Sequence, residues 1–191
     1  VTRRWTLRLV ACLAVGAAVL SGCSEKQEAN ETLPSSSPAE TTPQLLPLGP
    51  EDLPMPDEAR TQDAAGAEAF VRYYIQLINR TSTVMDAEPL REFSKDCREC
   101  NRLATNVEKD AAAGNKYESG KITITEVGRP VMKEVTAELP IVVDQDQFIV
   151  LNAEGSPTQG GSEPYSDVSG GVAIRWDPTR ECWIMTDLTF G

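Results

Sequence analysis

Five cysteines and no histidine set the chemistry open to these 191 residues. Without His there is no Ser-His-Asp triad, no Cys-His dyad, no His-bearing zinc site and no imidazole switch near neutrality. Cys97-Arg98-Glu99-Cys100 is the closest thing to a reactive constellation. At a helix start its thiolate would be stabilised by free backbone N–H groups. No βαβ pattern precedes it, so the expected role is a small structural disulfide at the helix entry. Pairing of either cysteine with Cys182 stays open at this level. Cys182 alternates in phase with Ile184, Leu188 and Phe190 and reads as a buried small hydrophobe. Asp144, Asp146 and Asp187 are isolated carboxylates. Asp144-Gln145-Asp146 lacks the Gly and distal Glu of a calcium loop and reads as a hairpin turn. No metal and no cofactor are expected.

The cysteine with the most specific context is Cys23. Arg3, Arg4 and Arg8 precede an apolar run from Leu9 to Leu20, and then come Ser21-Gly22-Cys23. That is the basic and apolar layout of an export signal, too short to span a bilayer. Leu20-Ser21-Gly22-Cys23 resembles a bacterial lipobox, which implies cleavage between Gly22 and Cys23 and acylation of the Cys23 thiol. Two acyl chains would give a stable membrane anchor. Sec and twin-arginine export both fit the Arg3-Arg4 start. Cys12 would leave with the signal.

The positioning elements follow. Residues 1–22 are expected as signal peptide and 23–56 as lipidated cysteine plus tether. Residues 57–191 are expected as one α+β domain. The stretch 24–56 holds seven of the 13 prolines and no aromatic residue, which predicts a disordered spacer. Ala67, Phe70, Val71, Tyr74, Leu77 and Ile78 recur at helical spacing and predict a helix over about 62–80. A short helix is expected from Glu88-Pro89, and a third from an Asp96 cap to Gly114. The period then becomes two. Ile122 and Ile124 mark one strand. Val131, Val135, Ala137, Leu139, Ile141 and Val143 form one apolar face of a second. Phe148–Leu151, Val172–Trp176 and Ile184–Phe190 mark three more. Gly128-Arg129-Pro130 and Asp177–Arg180 carry turn chemistry between strands. Residues 152–167 are Gly/Ser/Pro-rich and predict either a functional loop or a disordered one. Three helices followed by hairpins indicate α+β with an antiparallel sheet of four to five strands.

The lipobox, the Pro-rich tether and the run Pro56-Asp57-Glu58-Ala59-Arg60, Gly66 to Tyr74, Asn79 and Cys97-x-x-Cys100 occur together. This combination resembles a family of uncharacterised actinobacterial lipoproteins. The resemblance implies a cone-shaped domain related in fold to nuclear transport factor 2, ketosteroid isomerase and polyketide cyclases. It carries over no catalytic residue, and fold does not imply function. In such a cone Tyr73, Tyr74, Trp176, Trp183 and Met185 either line a pocket or fill the core.

Net charge is −11, and −14 once the first 22 residues are removed, which opposes nucleic acid and anionic headgroups. The leading expectation is a lipid-anchored extracytoplasmic module, non-enzymatic, with an envelope protein or small ligand as partner. An Asp/Tyr acid–base pocket enzyme and a thiol–disulfide protein using Cys97 and Cys100 are the alternatives.

Overall fold

The computed structural model describes residues 46–191. The expected signal, Gly22, Cys23 and the tether as far as residue 45 lie outside the described residues. Helix α1 spans Ala64–Val84. Asp63 caps it by accepting a 2.7 Å hydrogen bond from the Gly66 N–H, which holds its carboxyl below the usual range. Gly66 sits so close to Thr61 that a Cβ would fall 2.1 Å from the Thr61 carbonyl oxygen. The apolar stripe from Ala67 to Ile78 turns inward as its spacing predicts. The helix then runs four residues past Arg80, because Thr81 continues the buried face. It ends at Met85 in the left-handed region (φ 57°), whose N–H bonds to the Thr81 carbonyl.

Helix α2 is Glu88–Glu92, with Pro89 in its first turn. Helix α3 is Arg98–Ala112 and is capped by Cys97, not Asp96. The bond between Cys97 and Cys100 draws the Cys97 sulfur to 3.2 Å from the Cys100 N–H, so the disulfide itself closes the first turn. Asp96 lies one residue too early, at φ 58°.

Seven strands follow: β1 Lys116–Ser119, β2 Ile122–Val127, β3 Val131–Lys133, β4 Thr136–Gln145, β5 Phe148–Leu151, β6 Tyr165–Asp177 and β7 Cys182–Phe190. The main sheet is antiparallel in the order β2-β4-β6-β7, with β3 also paired to β4. The fold is therefore α+β, three helices and a five-stranded antiparallel sheet, as the sequence predicts.

The β3 region departs from the sequence expectation. Strands β2 and β3 lie along the same partner, so Gly128-Arg129-Pro130 interrupts one edge instead of reversing the chain. Pro130 is tolerated because an edge strand can spare a ladder donor. Gly128 is needed because a Cβ there would meet the Pro140 ring at 2.5 Å. The reversal occurs at Glu134–Val135, between paired Lys133 and Thr136. Val131 and Val135 thus leave the predicted inward face and are 54% and 48% exposed. Ala137, Leu139, Ile141 and Val143 do face the core.

Strand β5 leaves the main sheet and pairs with β1 as a separate two-stranded ribbon. Residues 152–164 fold back along β5. Ser162 and Phe148 exchange backbone hydrogen bonds at 2.8 and 3.0 Å, and Thr158 donates to Val150. The turn expected at Asp144–Asp146 falls later, since Asp144 and Gln145 still belong to β4.

The packed chain also begins ahead of Asp57. Met55 is buried, and Leu48 and Leu53 pack against the core. Arg60 is buried and donates to the carbonyls of Leu46, Arg180 and Glu181. Arg80 bonds both oxygens of Asp52. Proline content argued for coil throughout 24–56, but Leu48, Leu53 and Met55 supply enough apolar contact to dock its last residues, while the exposed Leu46 is held only through its carbonyl by Arg60.

Candidate functional site

The aromatic residues singled out from the sequence sit in the core. Tyr73, Tyr74, Trp183 and Met185 are fully buried. Their polar tips are satisfied by backbone carbonyls. Tyr73 Oη donates to Leu53 at 3.1 Å, Tyr74 Oη to Leu90 at 3.1 Å and Trp183 Nε1 to Thr61 at 2.9 Å. Burial pushes both phenols well above their ordinary range, which removes them from proton transfer near neutrality. Trp176 is half-buried and packs edge-on against Trp183, with ring centroids 5.4 Å apart. Asp146 and Asp187 are exposed, and Asp144 accepts the Asp167 N–H at 2.8 Å.

The cysteines resolve to one bridge. Cys97 and Cys100 are joined, and each is 1% exposed. Cys182 is free and buried, its thiol pushed up to about 11 by burial. It behaves as the small hydrophobe its alternation predicts. Among the described residues no three His, Cys, Asp or Glu side chains cluster as metal ligands.

The structure opens a site elsewhere. A cavity of about 370 Å³ lies between the C-terminal half of α1, helix α3 and the β1–β5 ribbon. Ile78, Leu90, Leu103, Val107, Ile122 and Phe148 supply apolar walls. Two ionised groups line it, Glu99 and Arg102, and they pair with each other. The Arg102 guanidinium beside Glu99 holds its carboxyl below the usual carboxylate range. Tyr165 donates its hydroxyl hydrogen to Gln145 Oε1, and burial raises the Tyr165 phenol. Tyr117 Oη donates to Asp110 at 2.6 Å; burial raises this phenol first and the neighbouring carboxylate adds to it. Phe148 packs edge-on against Tyr117 within the ribbon, and the Tyr117–Asp110 bond ties the ribbon to α3.

One polar group in the cavity wall stands apart. Thr81 is 1% exposed, and its Oγ1 has no hydrogen-bond partner among the described residues. Its two neighbours in sequence behave differently. Ser82 and Thr83 donate back to the carbonyls of Ile78 and Asn79 at 3.1 Å each. The helical pattern read from Ala67 to Ile78 stops one turn short of Thr81. Extending it by i+3 from Ile78 would have placed a hydroxyl on the apolar face.

A model of a family of unknown function, DUF6318, matches residues 50–189. The chain belongs to DUF6318. The match covers nearly all of the described domain, including residues 50–56 of the docked segment. No curated protein matches this DUF6318 chain. Among solved structures it is similar to the intermembrane space region of the chloroplast protein ARC6. Identity is 14%, the alignment covers 68% of this chain and 97% of that one, and the TM-score is 0.51. It is also similar to an NTF2-like protein with a cystatin-like fold from Novosphingobium aromaticivorans. There identity is 14%, coverage is 68% and 90%, and the TM-score is 0.34. The first of these is a likeness of fold.

Proposed function

We propose that this DUF6318 protein is a lipid-anchored extracytoplasmic binding module, held at the membrane through Cys23, whose domain accepts a small ligand without transforming it. The observation that carries the reading is the electrostatics of the cavity. Its single carboxylate is held low by Arg102, and the Tyr117 and Tyr165 phenols are raised. A general acid or base works best with a pKa near the operating pH, and these groups are displaced away from it. An acid–base enzyme would need the opposite arrangement, a desolvated carboxylate without a cationic partner. Burial of Cys97 and Cys100 also withholds the disulfide from a protein partner, which weighs against thiol exchange.

The test has two arms. In a host that lipidates exported proteins, a clickable fatty acid should label the chain, and Cys23→Ala should lose both label and membrane fractionation. Retention of either overturns the anchor. Native mass spectrometry of the full-length protein from membranes should then show a bound small molecule that is released unchanged. Steady conversion of that molecule would overturn the binding reading in favour of catalysis.

A further inference from the structure

We infer that the cavity takes a small neutral carbohydrate, laid against the aromatic side chains of the wall and hydrogen-bonded by Asn106, Gln145 and Ser162. The inference rests on the binding reading above and adds the ligand class to it.

The polar part of the wall comes first. Asn106 and Ser162 line the cavity and are exposed, and neither side chain bonds another residue among the described ones. Gln145 accepts the Tyr165 hydroxyl hydrogen through Oε1, which leaves its two amide N–H donors for a ligand. An amide and a hydroxyl offer donors and acceptors side by side, and a sugar hydroxyl answers in kind, donating and accepting at one oxygen. A carboxylate only accepts and an ammonium only donates, so either would leave part of this capacity unmet. The charged side chains of the lining add no preference for an ion. Glu99 and Arg102 pair with each other, their charges sum to zero, and Arg102 is 57% exposed to solvent.

The apolar part of the wall supplies a platform. Phe148, Tyr165 and Phe190 line the same cavity and are half-buried, so part of each side chain stays open. The electron-rich face of an aromatic ring attracts C–H groups. A pyranose carries C–H groups on its faces and hydroxyls around its rim, which is the division of polarity that this wall presents. A wholly apolar molecule would strip water from the amides and hydroxyls without replacing the bonds. A cavity of about 370 Å³ lies at the small end of ligand sites and suits a sugar of one or two rings.

The experiment uses the methyl glycosides of glucose, galactose and mannose, each beside its uronate, with 2-naphthol as the apolar probe. The full chain is held in phosphatidylcholine nanodiscs at pH 7, and binding is read by saturation-transfer NMR against empty discs. We expect at least one neutral glycoside to bind, with transfer concentrated on the ring protons of one face, and its uronate to bind more weakly. Asn106→Ala removes one hydrogen-bonding group from the wall and should weaken that glycoside about tenfold. Its Tm should equal that of the parent, since the Asn106 amide holds nothing else. A uronate bound as tightly as its neutral parent overturns the inference. So does an affinity that survives Asn106→Ala, or a Tm that falls, since the amide would then already have a partner. Binding of 2-naphthol with no glycoside bound overturns the ligand class and spares the binding reading. If no probe binds, both are overturned.

Discussion

The two halves of α1 are packed differently. The N-terminal half brings Phe70, Tyr73 and Tyr74 against Phe93, Trp183 and Met185, all of them fully or almost fully buried. Every polar tip there is bonded to a carbonyl. The C-terminal half brings Ile78 and Thr81 to the wall of a cavity, and the buried Thr81 hydroxyl has no hydrogen-bond partner among the described residues. The same amphipathic helix thus meets a filled interior at one end and an opening at the other. What differs is the opposing element. The N-terminal half meets side chains of β7 and the residues after α2. The C-terminal half meets α3 and a two-stranded ribbon that spans the gap without filling it.

The largest effect separating these halves should come from truncation. Trp183→Ala leaves a void among rigid neighbours and should cost about 3–5 kcal/mol. Leu103→Ala enlarges space that is already open and should cost about 1 kcal/mol or less. Urea denaturation reads both. Equal costs would break the distinction between the halves. The buried Cys182 offers a kinetic readout of the filled end. Its thiol should react with maleimide at the rate of global unfolding, and faster labelling would mean that this end opens locally.

Asn79 sits at the junction. Its amide bonds both the N–H and the carbonyl of Ile122 at 2.8 Å, joining α1 to the first residue of β2. Asn79→Ala leaves two backbone groups without their partner and should cost about 2–3 kcal/mol. Hydrogen exchange at Ile122 should rise more than exchange near Trp183. A uniform rise would show that the two ends open as one unit.

Smaller effects are expected at the surface. Arg80 bridges Asp52 and Asp86, tying the segment before Asp57 to α1. Arg80→Ala should hasten limited proteolysis within residues 46–56 and leave the urea midpoint nearly unchanged, since exposed pairs contribute little. Glu99 gives a pH signature at the cavity mouth. Its folded carboxyl lies below the ordinary value of 4.5. The Glu99–Arg102 pair therefore contributes fully above that value and is lost as pH falls through the lowered one. Glu99→Gln should lower stability slightly near neutrality and flatten its dependence across this acid range, so that variant and parent converge below the lowered value. The alkaline side has the reverse sign. The Cys182 thiol titrates at about 11 against an ordinary 9.0, so its contribution holds below pH 9 and fades as pH rises toward 11.

Local pattern made much of the fold legible. The i, i+3, i+4 apolar stripe located α1, strict alternation located β4, and the short Cys97–Cys100 spacing suited an adjacent bridge. The same kind of pattern misplaced Val131 and Val135. A period of two reads identically along a continuous strand and across a tight reversal, and Glu134–Val135 carries none of the usual Asn-Gly chemistry. The Asp96 cap failed for a related reason. A capping residue is recognised by type, but the disulfide decided which residue was the last extended one.

The site was the least legible part. Tyr73, Tyr74, Trp183 and Met185 have the composition of a pocket and of a core alike, and only their neighbours distinguish the two. The cavity depends on β5 pairing with β1 across some thirty residues, and on the 152–164 segment folding back over it. No short window of sequence encodes such a pairing.

Residue types alone therefore determined several things about this protein. They are the absence of imidazole chemistry, the acidic charge, the order of helices and strands, and the faces that must be buried. The tertiary structure decided what stands opposite each face. It filled one end of α1 with Trp183 and Phe93 and left a cavity beside Ile78 and Thr81 at the other. Amphipathic periodicity states that a side chain leaves water, and long-range packing states whether another atom meets it there.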